Sequence, residues 1–377
     1  MNLDDLDSDL EVIHQQIMLA SKPEDLFGAD DVILPAKVLQ EFLSKEYEKY
    51  KAQLDPASFS TLDDQEAAEE ARKKLECLYL EGREKISRFH YGLLGYGTLR
   101  PHISNYFEMG GNRYYLGSKL LEGEFFNLYQ GYLEREGMYL CEVLIKLARD
   151  QRSNHLMQRE ARALDLLHKE DVPQWKHLPL VLDRFETAGR VGLVIRKCYG
   201  LSLTEVRRRQ AHLKGVDQKH VAWMLDRSFS CFGYVHRCGI VHGNLTPDQL
   251  IINDRLHNVS AYGWEVSIHN PALTGEKVEL LVDSHNPYVS PEVRERGEIG
   301  PWSDIYSLGK IFIWLLGGDP ATNSIPDCVE DSVKHFLMGM VKEEHSRRSA
   351  DCWELYEEQC RIKDALWPRK FLHFDVS

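Results

Sequence analysis

The chain has 377 residues, is 43% hydrophobic and 28% charged, and carries a net charge of −13. That composition excludes collagen-like, low-complexity and wholly disordered chains, and the length predicts roughly two to three domains with real cores. The acidic balance argues against general nucleic-acid binding, and no run approaches the ~20 apolar residues that cross a bilayer, so neither nucleic acid nor membrane is an expected partner.

Residues 1–20 form an acidic segment without the basic-then-apolar pattern of a secretory signal. The eight cysteines (77, 141, 198, 231, 238, 328, 352 and 360) include no Cys-x-x-Cys pair. Reduced thiols and a cytoplasmic location are the expectation. Residues 1–88 hold 21 acidic and 11 basic side chains, a net of −10 out of −13, which marks a separate N-terminal unit. Within it, Val38, Leu39, Phe42, Leu43, Tyr47 and Tyr50 recur at helical spacing. A loop over 54–61 carries Asp55-Pro56. A second helix is predicted from Asp63 to Ile86, with Ala67, Ala71, Leu75, Leu78 and Ile86 on one side and carboxylates in its first turn. The glycines of Tyr91–Gly97 and Met109–Gly111, with Pro101, predict a linker over 89–113.

From Tyr114 the pattern changes to strand, turn, strand, then a strand at Tyr139–Lys146, a helix over Ser153–Lys169, two strands at Leu178–Phe185 and Val191–Lys197, and a long helical region from Val216. The fold class is therefore α+β. The last residues, 363–377, form a tail with Trp367, Phe371, Leu372 and Phe374, read either as a docking segment or as packing on the chain's own lower lobe.

Residues 21–88 resemble a J-domain, on Glu24-Asp25-Leu26-Phe27-Gly28, Tyr47-Glu-Lys-Tyr50 and an alanine-rich second helix. Such modules stimulate a chaperone ATPase through a His-Pro-Asp signature. Leu54-Asp55-Pro56 stands in its place, so the resemblance implies the hairpin but not the stimulation.

Residues 114–362 resemble the eukaryotic-type protein kinase fold, a bilobal domain divided at 114–196 and 197–362. Val143-Leu-Ile-Lys146 matches the strand that carries the phosphate-binding lysine, and Glu160 matches its helix partner. Leu193–Tyr199 matches the hinge, and His242-Gly-Asn-Leu-Thr-Pro-Asp-Gln249 the catalytic loop. Ala261-Tyr262-Gly263 stands where Asp-Phe-Gly belongs. Ser290-Pro291-Glu292, Asp304–Gly309 and Arg347-Arg348 follow in the expected order. The resemblance further implies that His242 and Tyr262 stack with Leu164 into the core joining the lobes. It also implies that Asp304 accepts hydrogen bonds from the catalytic loop, and that Glu292 pairs with Arg347 or Arg348.

Against that pattern the reaction residues are altered. The acid that orients the attacking hydroxyl is Asn244, the loop lysine is Thr246, the metal-binding asparagine is Gln249 and the metal-binding aspartate is Ala261. Of the phosphate-loop glycines only Gly123 remains; Leu121 and Phe126 occupy the first and third positions, and Phe126 is expected to fold into the phosphate space. Hard divalent cations want oxygen ligands, so no metal and no cofactor is expected. At most, weak metal-independent ATP binding remains, at a vestigial site of Lys146, Glu160 and Gly123. The expectation is a pseudokinase, not an enzyme, that acts as a scaffold or regulator through protein partners, with chaperone function as a further link. The alternative is an enzyme of unconventional phosphoryl or nucleotidyl transfer. Cys231, His236, Cys238 and His242 as a metal set, and Arg207-Arg208-Arg209 as a phosphate binder, weigh less than a helix end and a solvated helix face.

Overall fold

The structure, a computed structural model, describes residues 3–28, 36–59, 61–87, 91, 105–135, 138–169, 174, 177–198, 200–253, 257–278, 286–367 and 374. The chain forms two compact units: Met1–Gly117 with Gly131–Val143 and Trp367–His373, and Ser118–Gln130 with Leu144–Leu366 and Phe374–Ser377.

The first unit contains α1 (Leu3–Leu19), α2 (Pro23–Phe27), α3 (Ala36–Gln53) and α4 (Leu62–Ser87). The predicted stripe on α3 buries Leu39 and Leu43, with Phe42, Tyr47 and Tyr50 packed beside them; the burial of Val38 lies outside the described residues. On α4 the buried alanine is Ala68 rather than Ala67, followed by Ala71, Leu75, Leu78 and Ile86. The acidic first segment is a helix whose Leu10 and Ile17, seven residues apart, enter the same core. Leu54-Asp55-Pro56 serves the hairpin itself. Leu54 is fully buried, and Asp55 accepts a hydrogen bond from the Ala57 N–H at 3.2 Å to cap the turn Pro56–Ser58. Of the predicted linker, residues 89, 90 and 92–104 lie outside the described residues. Its end is regular: β1 (Tyr106–Met109) pairs antiparallel with the start of β2 (Asn112–Glu122) through a turn at Gly110-Gly111, both at positive φ. In this unit the sheet runs β1-β2-β3-β4, with β3 Phe126–Arg135 and β4 Met138–Ala148.

In the second unit the strand order is β2-β3-β4-β6-β5, where β5 is Val181–Thr187 and β6 Arg190–Arg196. Between β4 and β5 lies α5 (Asn154–Leu167), whose Leu156, Met157, Ala161 and Leu164 are buried. After β6 the chain gives β7 (Leu201–Ser202), α6 (Leu203–Arg208), α7 (Gln218–Arg237), β8 (Ile240–Val241), β9 (Leu250–Asn253) and β10 (Asn258–Ala261). It continues with β11 (Ile268–His269), α8 (Pro271–Thr274), α9 (Pro291–Arg294), α10 (Pro301–Leu315), α11 (Asp331–Met340) and α12 (Cys352–Leu366). Strands β7, β9 and β10 form one small antiparallel sheet and β8 pairs with β11. Helix α10 is buried nearly all round, as a helix apolar on every side must be. Helices and antiparallel sheets together make this unit α+β, as the sequence leads one to expect. No described helix is long and apolar enough to cross a membrane.

Candidate active site

Lys146 projects from β4 and Glu160 from α5, and their charged ends meet at 2.6 Å. A third group joins them: Glu265 places Oε2 3.0 Å from the same ammonium. All three side chains are almost fully buried. Burial by itself pulls the Lys146 ammonium down, and the two carboxylates more than reverse this, so it stays charged. Glu160 is pushed up by burial and by the like charge of Glu265, against the pull of Lys146. Glu265 is held down despite burial, by Lys146 and a backbone N–H. A third contact comes from the Phe126 ring, whose centroid lies 3.9 Å from Nζ. Phe126 therefore occupies the space beside the lysine, as its place at a lost glycine predicts.

Glu265 is the residue that sequence reasoning misses. It sits four residues beyond Ala261 in a 3-10 turn, Trp264–Val266, which opens at Gly263 with φ 85°. The only sequence signal is an acid between two apolar residues directly after the altered triplet. Ala261 is buried and has no ligand atom, and its carbonyl accepts from the Trp264 indole at 2.9 Å.

The core beside the catalytic loop also differs from the expectation. His242 does not stack on the Tyr262 ring. Its ring meets Trp264 edge-on at 4.6 Å, and Trp264 lies against Phe232. Tyr262 instead turns its hydroxyl to the hinge, accepting from the Cys198 N–H at 2.6 Å and facing the Arg196 carbonyl at 3.4 Å. Two bonds fix its backbone, from its own N–H to the Gln249 carbonyl and from His242 Nε2 to its carbonyl. His242 is kept neutral by burial, which suits one nitrogen that donates to Tyr262 and one that accepts from the Asn244 N–H.

In the catalytic loop, Gln249 turns its Oε1 back to the Thr246 N–H at 2.9 Å. Asn244 is buried, and among the described residues its Oδ1 has no hydrogen-bond partner. Gly243 has φ 76°, and a Cβ there would lie 2.6 Å from the Val278 side chain. Any side chain at this position would be strained and would crowd Val278. Gly123 closes the phosphate loop, donating to the Phe126 carbonyl at 3.0 Å, while Arg149 holds the carbonyls of Gly123 and Phe125.

The framework residues fall where the resemblance puts them. Asp304 accepts from the N–H groups of His242 and Gly243 at 2.9 and 2.8 Å, and meets His236 Nε2 at 2.9 Å. Glu292 pairs with Arg348 at 2.6 Å and accepts from Ser303. Arg347 is exposed. Cys231, His236, Cys238 and His242 do not converge, because His236 serves Asp304 and His242 serves Tyr262. Arg207 spends its guanidinium on the carbonyls of Trp314 and Leu315. Phe374 is buried against His212, His220 and Trp223, on the chain's own helical lobe; Phe371 and Leu372 lie outside the described residues.

Residues 115–360 match the family model for protein tyrosine and serine/threonine kinases. Among curated relatives, a serine/threonine-protein kinase (drp72) of Corynebacterium efficiens is 23% identical over 57% of this chain and 44% of its own length. Calcium-dependent protein kinase 7 of rice is 25% identical over 55% and 37% respectively. The zebrafish serine/threonine-protein kinase PLK4 is 26% identical over 60% and 23%. The matched region spans less than half of each relative. These matches overturn the expectation that the chain is not an enzyme, since every one of these relatives is named as a protein kinase. The chain belongs to the protein tyrosine and serine/threonine kinase family.

Proposed function

We propose that the chain is an enzyme that transfers a phosphoryl or nucleotidyl group from a nucleoside triphosphate, at a kinase site with altered chemistry. The observation that carries this reading is the cluster of Lys146 with Glu160 and Glu265. The lysine–glutamate pair must be formed for a kinase to work, and here it is formed at 2.6 Å.

Kinases also use Mg²⁺ to neutralise the phosphates. The residues present do not fit that ion: Ala261 has no donor, Gln249 Oε1 is spent on Thr246, and Glu265 faces Lys146. No step is therefore routed through a metal, and triphosphate binding is weak and indifferent to Mg²⁺. In phosphoryl transfer the bond from the γ-phosphorus to its bridging oxygen breaks, with ADP leaving, and a bond to the acceptor oxygen forms. In nucleotidyl transfer the acceptor attacks the α-phosphorus and pyrophosphate leaves. Lys146 offsets phosphate charge in both. The unpartnered Asn244 Oδ1 accepts a hydrogen bond from the acceptor hydroxyl, but as an amide it takes no proton, which passes to water. Losing a general base costs about 10²–10⁴ in rate, so slow transfer is expected.

The test incubates the full chain with ATP labelled at the α or the γ position. Retention of one label on protein identifies the reaction, Lys146→Ala abolishes it, and Asn244→Asp raises it by about 10²-fold. Absence of transfer of either label, by both the natural chain and Asn244→Asp, would sink the proposal.

A further inference from the structure

The cleft between the hinge and Lys146 is lined by groups that a nucleotide would use, and the chain's own side chains already hold them. On an extended segment the carbonyl of one residue and the N–H two residues on point the same way. At the end of β6 the Arg196 carbonyl and the Cys198 N–H meet the same hydroxyl and so form such an acceptor–donor pair, suited to the edge of a heteroaromatic base. The Tyr262 hydroxyl sits against both, accepting from Cys198 at 2.6 Å and facing Arg196 at 3.4 Å. At the other end, two carboxylates and the Phe126 ring enclose Lys146. Tyr262 and Phe126 pack against one apolar cluster that includes Ala148, Leu193 and Ile195.

We propose that Tyr262 and Phe126 are built-in occupants of the nucleotide cleft: Tyr262 holds the hinge where a base would bond, Phe126 covers the lysine where a phosphate would, and a nucleotide binds only by displacing them. This rests on the reading above that the cleft takes a nucleotide, and it makes the chain a latent enzyme. The two residues divide the ligand between them. Tyr262 opposes the base, and so opposes adenosine and ATP alike. Phe126 opposes only what reaches the lysine, and so opposes ATP alone.

Both contacts are held by the surrounding backbone. Tyr262 is anchored at its N–H and its carbonyl, and burial keeps its hydroxyl protonated, able to accept and donate together. Phe126 is fixed by the loop closure at Gly123 and by Arg149, whose guanidinium holds the Gly123 carbonyl at 2.8 Å. Neither residue is needed at the framework clusters, since Trp264 fills the core beside His242.

The experiment titrates adenosine and ATP into the full chain by calorimetry. Tyr262→Phe keeps the ring and removes the hydroxyl; both ligands are expected to bind about fivefold tighter, the equivalent of one neutral hydrogen bond. Phe126→Gly is expected to tighten ATP by about 30-fold, the equivalent of a desolvated cation–π contact, and to leave adenosine unchanged. Should Phe126→Gly not fold, Phe126→Leu keeps the apolar volume, removes the π-face and is expected to act in the same direction. Unchanged or weaker adenosine binding in Tyr262→Phe overturns the role of Tyr262. Equal effects on both ligands, or none, in the Phe126 variants overturn that of Phe126. Label transfer by the same variants separates this inference from the functional reading: tighter binding without transfer removes the enzyme and leaves the occupants, whereas unchanged binding with transfer does the reverse.

Discussion

Around Asp304 and Glu292 the bonds that the kinase resemblance implies are formed, two loop N–H groups on one carboxylate and a guanidinium on the other, and His236 and Ser303 add to them. Around Lys146 the same kinds of group have found different partners. A carboxylate from beyond the altered triplet has joined the lysine, a phenylalanine has closed over it, and Gln249 has turned back on its own loop. The framework cluster serves folding in any state of the protein. Around Lys146 the polar groups are largely satisfied from within, with Asn244 Oδ1 an exception among the described residues. Most buried polar groups are bonded in the resting state whether or not a ligand arrives. With Glu265 and Phe126 beside it, the Lys146 charge is met within the chain.

The comparison breaks most visibly at Lys146. Lys146→Met leaves Glu160 and Glu265 buried together without their cation, a loss of about 5 kcal/mol at neutral pH. It is to be read as the shift in urea unfolding of the second unit. The loss is expected to shrink as pH falls, because unpaired buried carboxyls titrate above their ordinary range and become neutral. A loss under about 1 kcal/mol, flat in pH, would show that the cluster is open to water and not a closed unit.

Arg348→Met tests the framework side. Leaving Glu292 buried without its guanidinium costs about 3–4 kcal/mol. Burial alone would raise the Glu292 carboxyl, but Arg348 and Ser303 hold it below its ordinary value. Its contribution is therefore complete above pH ~4.5 and lost as pH falls through the lower folded value. In the variant that acid-side loss disappears, because the carboxyl no longer has a depressed value to lose. Natural protein and variant with the same slope below pH ~4.5 would mean that other carboxylates set the acid limit.

How far the sequence carried depends on whether a residue's partner is fixed by the framework. Lys146, Glu160, Asp304 and α10 were legible because the order and spacing of the motifs allow each a single place. Glu265 was not, because an isolated acid after Ala261 has no periodic signal and its partner is 119 residues away. The exchange of Tyr262 for Trp264 in the core was hidden for a related reason: two large aromatics stand two residues apart, and only the backbone turn at Gly263 decides which one points inward. Helix α1 was obscured by its charge, since four aspartates within residues 4–9 mask the pair Leu10 and Ile17.

The smallest expected effect concerns a choice the sequence left open, between Arg347 and Arg348 as the partner of Glu292. Both guanidiniums have the charge and the reach, and neither motif nor hydropathy separates them. The turn His345–Arg347 does, because the chain leaves it extended at Arg348 and carries that side chain inward, where it bonds Glu292, the Trp302 carbonyl and the Glu343 carbonyl. Arg347 faces water. Its removal strips no buried partner, so Arg347→Ala is expected to shift unfolding by no more than ~0.5 kcal/mol, against several for its neighbour. A loss above about 2 kcal/mol in Arg347→Ala would mean that the two arginines share Glu292 in solution, and that the ion pair is set by charge density and not by a single fixed bond.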